Sequence, residues 1–581
     1  MSLEVNISQL AQGRIPCANV KEGVDGPVNC VTQANLICSR CYLVQYCSHG
    51  CQVTHWPQHK LDCNSALRKP GWQPTWASEG RRPAFMSTVM PSVSFGHLRF
   101  LYGNIAAFDV LKLAHNEGKK HNKDLNLCFA ASGDLRNIIE SVIGMPDDYS
   151  GTCLCVVNDK DQLVVARNVV MLLTSLVFPP VIAAVLILHI WYSARLTPKM
   201  LQDVKDRVRP LIAEVLKKIE QKKDDVLLHK TWTFGTRMLS LRLYKQQWNL
   251  ILRLFDAEQP VSKGEEERQY VMLNDTRVDY RERRLFTMSP SRRVCSHKMR
   301  ESGMLLPFGS CSDGYTSSNP TLFDNDSGAW LLKDSADPLA GWALKDILAS
   351  GVRRGGPKED IYGHLHFHIR DLLENFCQKT TLMKIHVDMY CVNATELPSL
   401  LDDRLKESAF DRIEISNIAD ANYIGLEKSL STFGPLLKNR KQSSHATLIT
   451  LFMNAAEQAA QARGYDIEAM MTGMQKISQF LPSKLPANQN PSNPAALRAS
   501  AAKDLVRDYD KLWAQYMRML DFPTIVKKTG MKPKVKNTVV EAWPMRLYKR
   551  YGEPGAQEDF DNLMESGSSG DERYVEWMRS E

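Results

Sequence analysis

The feature that most constrains this chain is a dense run of cysteine and histidine within its first 63 residues. Three close pairs, each with two or three intervening residues, follow two isolated cysteines. Short spacers let one turn present two ligands to the same metal, and eight ligands suffice for two tetrahedral sites. The candidate ligands are Cys17, Cys30, Cys38, Cys41, Cys47, Cys51, His59 and Cys63.

The cysteine distribution favours metal ligation over disulfides. Seven of the 14 cysteines lie in this segment and the others are scattered. No basic stretch followed by an apolar run opens the sequence, so we expect a cytoplasmic or nuclear protein, where thiols stay reduced. Four protein ligands per ion leave no open coordination position, so we predict two structural Zn²⁺ ions. Each contributes on the order of 10 kcal/mol to folding.

The run from Cys38 to Cys63, with Tyr46 before Cys47 and the stretch His-Trp-Pro-Gln-His at 55–59, resembles the MYND-type zinc finger. The resemblance implies interleaved ligands, which makes the finger a cross-braced fold. This sequence departs from the family pattern at Cys17, because twelve residues separate Cys17 from Cys30 where the family usually has two. His49 and His55 are interpreted as bystanders. The implied sets are Cys17, Cys30, Cys47 and Cys51 on one ion, and Cys38, Cys41, His59 and Cys63 on the other.

MYND fingers are generally protein-interaction modules, often for proline-containing peptides. By resemblance, we expect a protein or a proline-containing peptide as the partner of this finger. The net charge of +8 over 581 residues is mild, and it gives no strong nucleic-acid signal.

The rest of the chain divides by composition and pattern. Residues 64–96 are predicted to be a linker rich in proline and glycine. Residues 98–480 alternate strand-like runs (125–130, 153–157) with helical runs (135–143, 162–178), an order that implies a mostly parallel sheet. Further helices are expected over 201–222 and 236–256, and further strands over 382–392, 412–416 and 447–453. The remaining predicted divisions are a polar insertion at about 257–345, a linker at 483–500 and a helical, polar C-terminal region at 501–581.

Residues 169–194 contain no Asp, Glu, Lys or Arg and are long enough to span a bilayer. Pro179-Pro180 divides the stretch into two apolar pieces. We therefore favour two buried helices that meet at a proline turn over a membrane span.

The large domain also carries a resemblance. The segment LNLCFAASGDLRN at 125–137, with Asn158-Asp159 and later FDRIEISNIAD at 410–420, resembles an uncharacterised domain found beside MYND fingers in many fungal proteins. It is also similar to the N-terminal domain of the axonemal-dynein assembly-factor family. This family implies no defined activity.

A strand followed by the turn Ser132-Gly133-Asp134, a helix, and a second strand ending at Asp159 is the layout of a nucleotide-binding half-sheet. S-adenosylmethionine-dependent methyltransferases use this arrangement, so we predict a Rossmann/methyltransferase-like α/β domain. A single glycine is a weak fingerprint, however, and both aspartates suit helix caps. We therefore favour the hypothesis that the α/β domain has a methyltransferase-like fold without activity. No catalytic or cofactor-binding residue is assigned.

Two other patterns have ordinary explanations. His364, His366 and His368 alternate, and on a strand they would share one face, more typical of a polar sheet face than of a metal site. The lysines between 527 and 536 are interpreted as a solvated loop rather than a nucleic-acid patch. No P-loop, kinase signature or Gly-x-Ser-x-Gly elbow occurs.

Two functional hypotheses follow. The first is an interaction adaptor or scaffold, in which the finger binds a partner and the α/β domain provides a second binding surface. The alternative is an S-adenosylmethionine-dependent methyltransferase whose finger recruits the substrate.

Overall fold

A computed structural model of the chain describes residues 13–23, 26–86, 94–256, 261–463, 467–481, 492–507, 509–566 and 570–580. The N-terminal finger consists of two small antiparallel hairpins and one helix. Its elements are β1 Cys17–Gly23, β2 Gly26–Cys30, β3 Leu36–Ile37, β4 Gln45–Tyr46 and α1 His49–Cys63.

The remaining strands build a nine-stranded sheet and, from β7 and β10, a separate two-stranded ribbon within the described residues. In chain order they are β5 Leu125–Phe129, β6 Thr152–Asn158, β7 Arg195–Leu196, β8 Leu227–Phe234, β9 Arg237–Tyr244, β10 Ser317–Ser318, β11 Lys384–Tyr390, β12 Arg412–Glu414, β13 Thr447–Phe452, β14 Met531–Pro533 and β15 Arg573–Arg579.

Across the large sheet the order is β14-β15-β13-β12-β5-β6-β11-β9-β8. The six strands from β13 to β9 pair in parallel, whereas β15 is antiparallel to both of its neighbours and β8 is antiparallel to β9. The predicted mostly parallel α/β domain is therefore confirmed. Strands β6 and β13 are apolar along almost their whole length because helices bury both faces of a parallel sheet.

Helices surround this sheet. The α-helices are α2 Thr75–Ser78, α3 Arg136–Ile143, α4 Gln162–Val177, α5 Pro180–Tyr192, α6 Pro198–Arg207, α7 Arg209–Lys218, α8 Lys245–Asp256, α9 Val261–Met272, α10 Val278–Leu285, α11 Pro290–Ser302, α12 Leu344–Arg353, α13 Ile361–Leu382, α14 Leu397–Leu400, α15 Leu426–Phe433, α16 Ala455–Arg463, α17 Ile467–Ser478, α18 Pro494–Lys503, α19 Tyr509–Met519, α20 Phe522–Thr529 and α21 Ala556–Ser566. Short 3₁₀ helices occupy Ala66–Arg68, Ala84–Met86, Asp275–Arg277, Pro338–Gly341, Asp403–Leu405, Gly434–Leu436 and Asp504–Val506.

The apolar stretch at 169–194 forms the predicted pair of helices. Helix α4 ends at Val177 and α5 begins at Pro180, whose missing N–H costs nothing in a first turn. Both helices are largely buried in the domain core. Among the described residues, no helix combines the length and the apolar character that crossing a bilayer requires.

Three local predictions are wrong. The lysines between 527 and 536 do not form one solvated loop, because Lys527 and Lys528 lie on helix α20, Lys532 lies in β14 and Lys534 is largely buried. Residues 237–244 form strand β9, where the sequence suggested the start of a helix; β9 pairs with β11 and β8, and tertiary pairing overrides the helix-like pattern. The alternating histidines 364–368 lie on helix α13, not on a strand, and all three are buried. The aspartate cap at Asp360, which accepts from the Gly363 N–H at 2.9 Å, marks this helix start.

The segments outside the central pattern are also structured. Helices α9, α10 and α11 lie within the polar stretch at 257–345, and much of 304–342 is buried. The predicted linker at 483–500 falls partly outside the described residues, and α18 begins at Pro494. The C-terminal region contains helices, and it also supplies β14 and β15 to the sheet.

Candidate metal centres

The first cluster forms where the β1–β2 hairpin meets the start of helix α1. The antiparallel register places Cys17 opposite Cys30, so the long insertion between them is the hairpin that brings the two thiols together. Cys47 lies just before helix α1, and Cys51 lies in its first turn. The Cys47 sulfur lies 3.8 Å from that of Cys30 and 3.5 Å from that of Cys51. All four sulfurs lie within 4.8 Å of one another.

The second cluster joins a tight turn to the end of the same helix. Cys38 and Cys41 flank a turn closed by the Tyr42 N–H, which donates to the Cys38 carbonyl at 2.9 Å. His59 and Cys63 are one helical turn apart and project from the same face of α1. The Cys41 sulfur lies 3.5 Å from His59 Nε2, and the four ligand atoms lie within 4.8 Å of one another.

The donor set tests whether zinc fits these clusters. One offers four thiols and the other three thiols and an imidazole, the closed sets that structural zinc prefers. The residues divide between the clusters in the interleaved way that the resemblance to the MYND finger implies. Three N–H groups point at the sulfurs, as they do around bound thiolates. They are Asn19 Nδ2 to Cys51 at 3.4 Å, the Cys47 N–H to Cys17 at 3.4 Å, and Arg68 to Cys63 at 3.8 Å. The two clusters fit two zinc ions.

The electrostatics of the thiols agree with this assignment. A hydrogen bond from Cys41 lowers the pKa of Cys38 to about 3, and the same bond, together with burial, raises the pKa of Cys41. Burial raises the pKa of Cys17 to about 12. Crowded thiols cannot all ionise unless a cation lies between them. A divalent ion held by these residues would supply that charge, and the thiol protons would be released to water.

The bystander histidines stay outside both clusters. His49 is exposed at the start of α1. His55 Nδ1 lies 3.0 Å from the Tyr46 hydroxyl, and burial lowers the pKa of His55 to about 4. Asn19 and Arg68 were not singled out in the sequence, because donors to a ligand sulfur have no fixed spacing from the ligands.

The finger is docked on the large domain. The Asn29 amide donates to the Gly309 carbonyl at 2.8 Å, and its oxygen accepts from the Cys311 N–H at 2.8 Å. Gly309 faces Ala18 so closely that a Cβ added there would lie 2.6 Å from the Ala18 Cβ. Only glycine therefore allows the hairpin to approach this loop.

Helix α1 and the segment after it form the second part of this interface. Asp62 pairs with Lys298 of α11 at 2.9 Å, and the Glu359 N–H donates to the Tyr42 carbonyl at 3.0 Å. Arg68 donates to the Ser291 hydroxyl at 3.1 Å and also to backbone carbonyls of the finger. The finger and the domain are joined by specific polar contacts.

The opposite side of the finger helix is apolar and exposed. Val53, Pro57 and Leu61 recur at intervals of four residues, which places them on one face of the helix, with Trp56 beside them. Val53 is 57% exposed and Leu61 is 73% exposed. Apolar side chains that neither the clusters nor the domain cover are typical of a binding surface.

The turn after β5 was the other candidate site. Gly133 adopts a φ of 56°, and its N–H donates to Asp159 Oδ2 at 2.9 Å. The Asn168 amide donates to the Gly133 carbonyl at 2.8 Å. Burial raises the pKa of Asp159. Asp161, rather than Asp159, caps helix α4. The polar groups of this turn bond to one another.

Asp134 is engaged as well. Its carboxylate accepts from Arg136 Nε at 2.7 Å and from the Gly103 N–H at 3.1 Å. Arg136 in turn donates to the Gly341 carbonyl at 2.6 Å, and its guanidinium fills the space beside Gly103. These bonds hold the loop at 101–107 against the sheet.

Comparison with known families assigns two segments of the chain. Residues 28–63 match the model of a family described as a MYND finger. Residues 101–196 match the model of a domain of unknown function (DUF4470). No curated protein and no solved structure matches the chain. Cys17 lies before the matched finger segment, so its place in the first cluster depends on the hairpin geometry alone.

Proposed function

We propose that this chain is an interaction adaptor whose zinc-stabilised finger binds a protein partner. The observation that carries the proposal is the exposed apolar face of α1, formed by Val53, Trp56, Pro57 and Leu61. MYND fingers generally mediate protein interactions. Four protein ligands in each cluster would leave a bound zinc ion without an open coordination position for catalysis.

The partner that suits this face is a proline-containing peptide. Proline-rich segments form extended polyproline II helices, which lose little conformational entropy on binding. They dock on surfaces with exposed aromatic rings. Trp56 is 38% exposed and packs edge-on against His59, so its ring is held by a predicted zinc ligand. Zinc thereby positions the surface that the peptide contacts.

The docked finger gives this adaptor a defined geometry. Its hairpin and the C-terminal end of α1 contact the domain, which leaves the face around Val53 pointing away. We divide the chain into the finger at 17–63, a connecting segment at 64–96, the α/β domain at 98–480, a linker at 483–500 and the C-terminal region at 501–581, whose strands β14 and β15 complete the sheet of the domain. The α/β domain then supplies the second surface of the adaptor, inside the cell.

The α/β domain is proposed to be Rossmann-like without activity. From β5 the chain builds the sheet through β6 to β11 on one side and through β12 to β13 on the other, and nucleotides bind at such a switch point. The Gly133 N–H, which a cofactor would use, is occupied by Asp159. This bond favours the adaptor over the methyltransferase alternative.

The finger proposal is tested with arrayed proline-containing peptides and the full chain. We expect saturable binding that Val53→Asp and Leu61→Asp each abolish. The matched control is Val352→Asp, because Val352 is 75% exposed on a different helix, α12. Peptides that bind the Val53→Asp variant as well as the wild type, or an array without any bound peptide, would refute the proposal.

The domain proposal is tested by isothermal titration of the full chain with S-adenosylmethionine. We expect no saturable heat from the wild type. Saturable binding that Asp159→Ala removes would contradict the non-catalytic assignment and establish a cofactor site at this turn. A circular-dichroism melt of the variant checks that it is folded.

A further inference from the structure

A cavity of about 400 Å³ lies between the connecting segment and helices α11 and α18. Pockets of about 300–1,000 Å³ are the usual size for small-molecule sites. Trp72, Phe286 and two prolines form an apolar wall, and three arginines supply polar groups. The described residues that line the cavity include no aspartate or glutamate.

Arg293 brings a positive charge to this cavity without a carboxylate beside it in the described contacts. It donates from Nε to the Leu285 carbonyl at 3.2 Å, and from another guanidinium nitrogen to the Leu67 carbonyl at 3.4 Å. Its guanidinium lies 4.5 Å from the centre of the Trp72 ring. Burial, and then the charge of Arg498, lower the pKa of Arg293 to about 10.

Arg498 is the second of these charges. Among the described residues it pairs with Asp561 at 4.0 Å, and its Nε is buried without a hydrogen-bond partner. Arg81, which also lines the cavity, differs because Asp279 binds it bidentately at 2.6 and 2.7 Å. The guanidinium groups of Arg293 and Arg498 therefore repel each other, and no described residue that lines the cavity supplies a carboxylate.

The start of helix α18 adds to this positive field. Pro494 and Ala495 line the cavity at the first turn of a ten-residue helix. The partial positive charge of a helix N-terminus favours an anion nearby. Asn493 caps the helix by accepting from the Ala495 N–H at 2.8 Å, so the helix contributes its dipole and the arginines contribute their charge.

We propose that this cavity binds a small anion that carries a planar ring, the chemistry of a nucleoside monophosphate. Arg293 and Arg498 bind the anionic group, because guanidinium forks match phosphate and carboxylate oxygens. Trp72 and Phe286 contact the ring. The ligand relieves the repulsion between the two arginines. This site is separate from the finger face, so either proposal stands without the other.

The test is isothermal titration of the full chain with AMP, with GMP and UMP as further probes. Inorganic phosphate and adenosine supply the anion and the ring separately, and each is expected to bind more weakly than AMP. Arg498→Gln is expected to weaken AMP binding about tenfold or more, the usual effect of losing a charge-assisted hydrogen bond. The matched control is Arg283→Gln, since Arg283 stacks on Phe85 outside the lining residues and the change should leave AMP binding unaltered.

Three outcomes would overturn the proposal. They are no saturable binding of any of the three nucleotides at about 1 mM, an AMP affinity unchanged in Arg498→Gln, and inorganic phosphate binding as tightly as AMP. The last would refute the ring contact. Because Arg498 is half-buried and only weakly paired, its variant should keep the wild-type melting temperature, so lost binding reports the site and not unfolding.

Discussion

Replacing Gly309 with alanine tests whether the finger is docked as described. The added methyl would lie 2.6 Å from the Ala18 Cβ and 3.2 Å from the Ala18 Cα. Carbon atoms pack at about 3.5–4.0 Å, so the hairpin must withdraw by about 1 Å. Neither neighbouring atom is the tip of a flexible side chain. The strain must therefore be relieved by moving the backbone.

That withdrawal also stretches two polar contacts. Asn29 bonds to the carbonyl of Gly309 and to the N–H of Cys311, each at 2.8 Å, and a 1 Å shift breaks such geometry. Overpacking of a close contact costs about 1–3 kcal/mol. The docking equilibrium of the finger should fall by about 5- to 150-fold.

The assay follows the rate of zinc transfer to a chromogenic chelator and, in parallel, the melting temperature. We expect Gly309→Ala to release zinc faster and to melt at a lower temperature than the wild type. Gly71→Ala is the control, because a Cβ at Gly71 meets nothing within 4 Å. Equal release rates for both variants and the wild type would show that the hairpin does not pack against residue 309.

Three further predictions concern the metal, the core and the sheet edge. Cys17→Ser should lower the bound zinc, measured by inductively coupled plasma mass spectrometry, from two ions per chain towards one; two retained ions would exclude Cys17 as a ligand. Burial lowers the pKa of each α13 histidine from 6.5 to about 4. Stability should therefore be full above pH 6.5 and fall as the pH drops towards 4, by on the order of 2 kcal/mol per histidine at pH 5, and a flat melting temperature across this range would contradict their burial. Glu576→Gln should destabilise the fold by about 3–5 kcal/mol in denaturant titrations, because it leaves the Lys534 ammonium, 3.0 Å away and largely buried, without its charge partner; an unchanged midpoint would refute this pairing.

The sequence predicted best where periodicity and spacing act locally. The metal ligands are predictable because close spacing places pairs such as His59 and Cys63 on one turn or one helical face. Their division between two ions follows from the resemblance to the MYND finger. Strands β5, β6 and β13 are predictable because continuous apolar runs bounded by polar turns suit a sheet buried on both sides.

The errors arose where tertiary contacts decide the structure. Strand β9 is stabilised by its neighbours β11 and β8, whose positions no local pattern reveals. The α13 histidines alternate with apolar residues only by coincidence, and the signal that would have identified the helix is the cap at Asp360. Strand β15 enters the sheet from the far end of the chain, and its pairing with β13 spans more than 100 residues. The docked finger depends on Gly309, whose role is visible only once Ala18 lies opposite.

Helix α11 links the finger to the proposed ligand cavity. Ser291 accepts from Arg68 and Lys298 pairs with Asp62, both on the finger side, while Arg293 of the same helix lines the cavity. Loss of zinc should unfold the finger, which carries Asp62 and holds Arg68 through the Cys63 and Arg40 carbonyls. It should therefore loosen helix α11 and weaken AMP binding. Linkage requires the converse: AMP should raise the equilibrium affinity of the chain for zinc, measured by competition with a chelator, by the same coupling energy. An AMP affinity that is equal before and after chelation, with the α/β domain still folded by circular dichroism, would show that α11 holds its position without the finger.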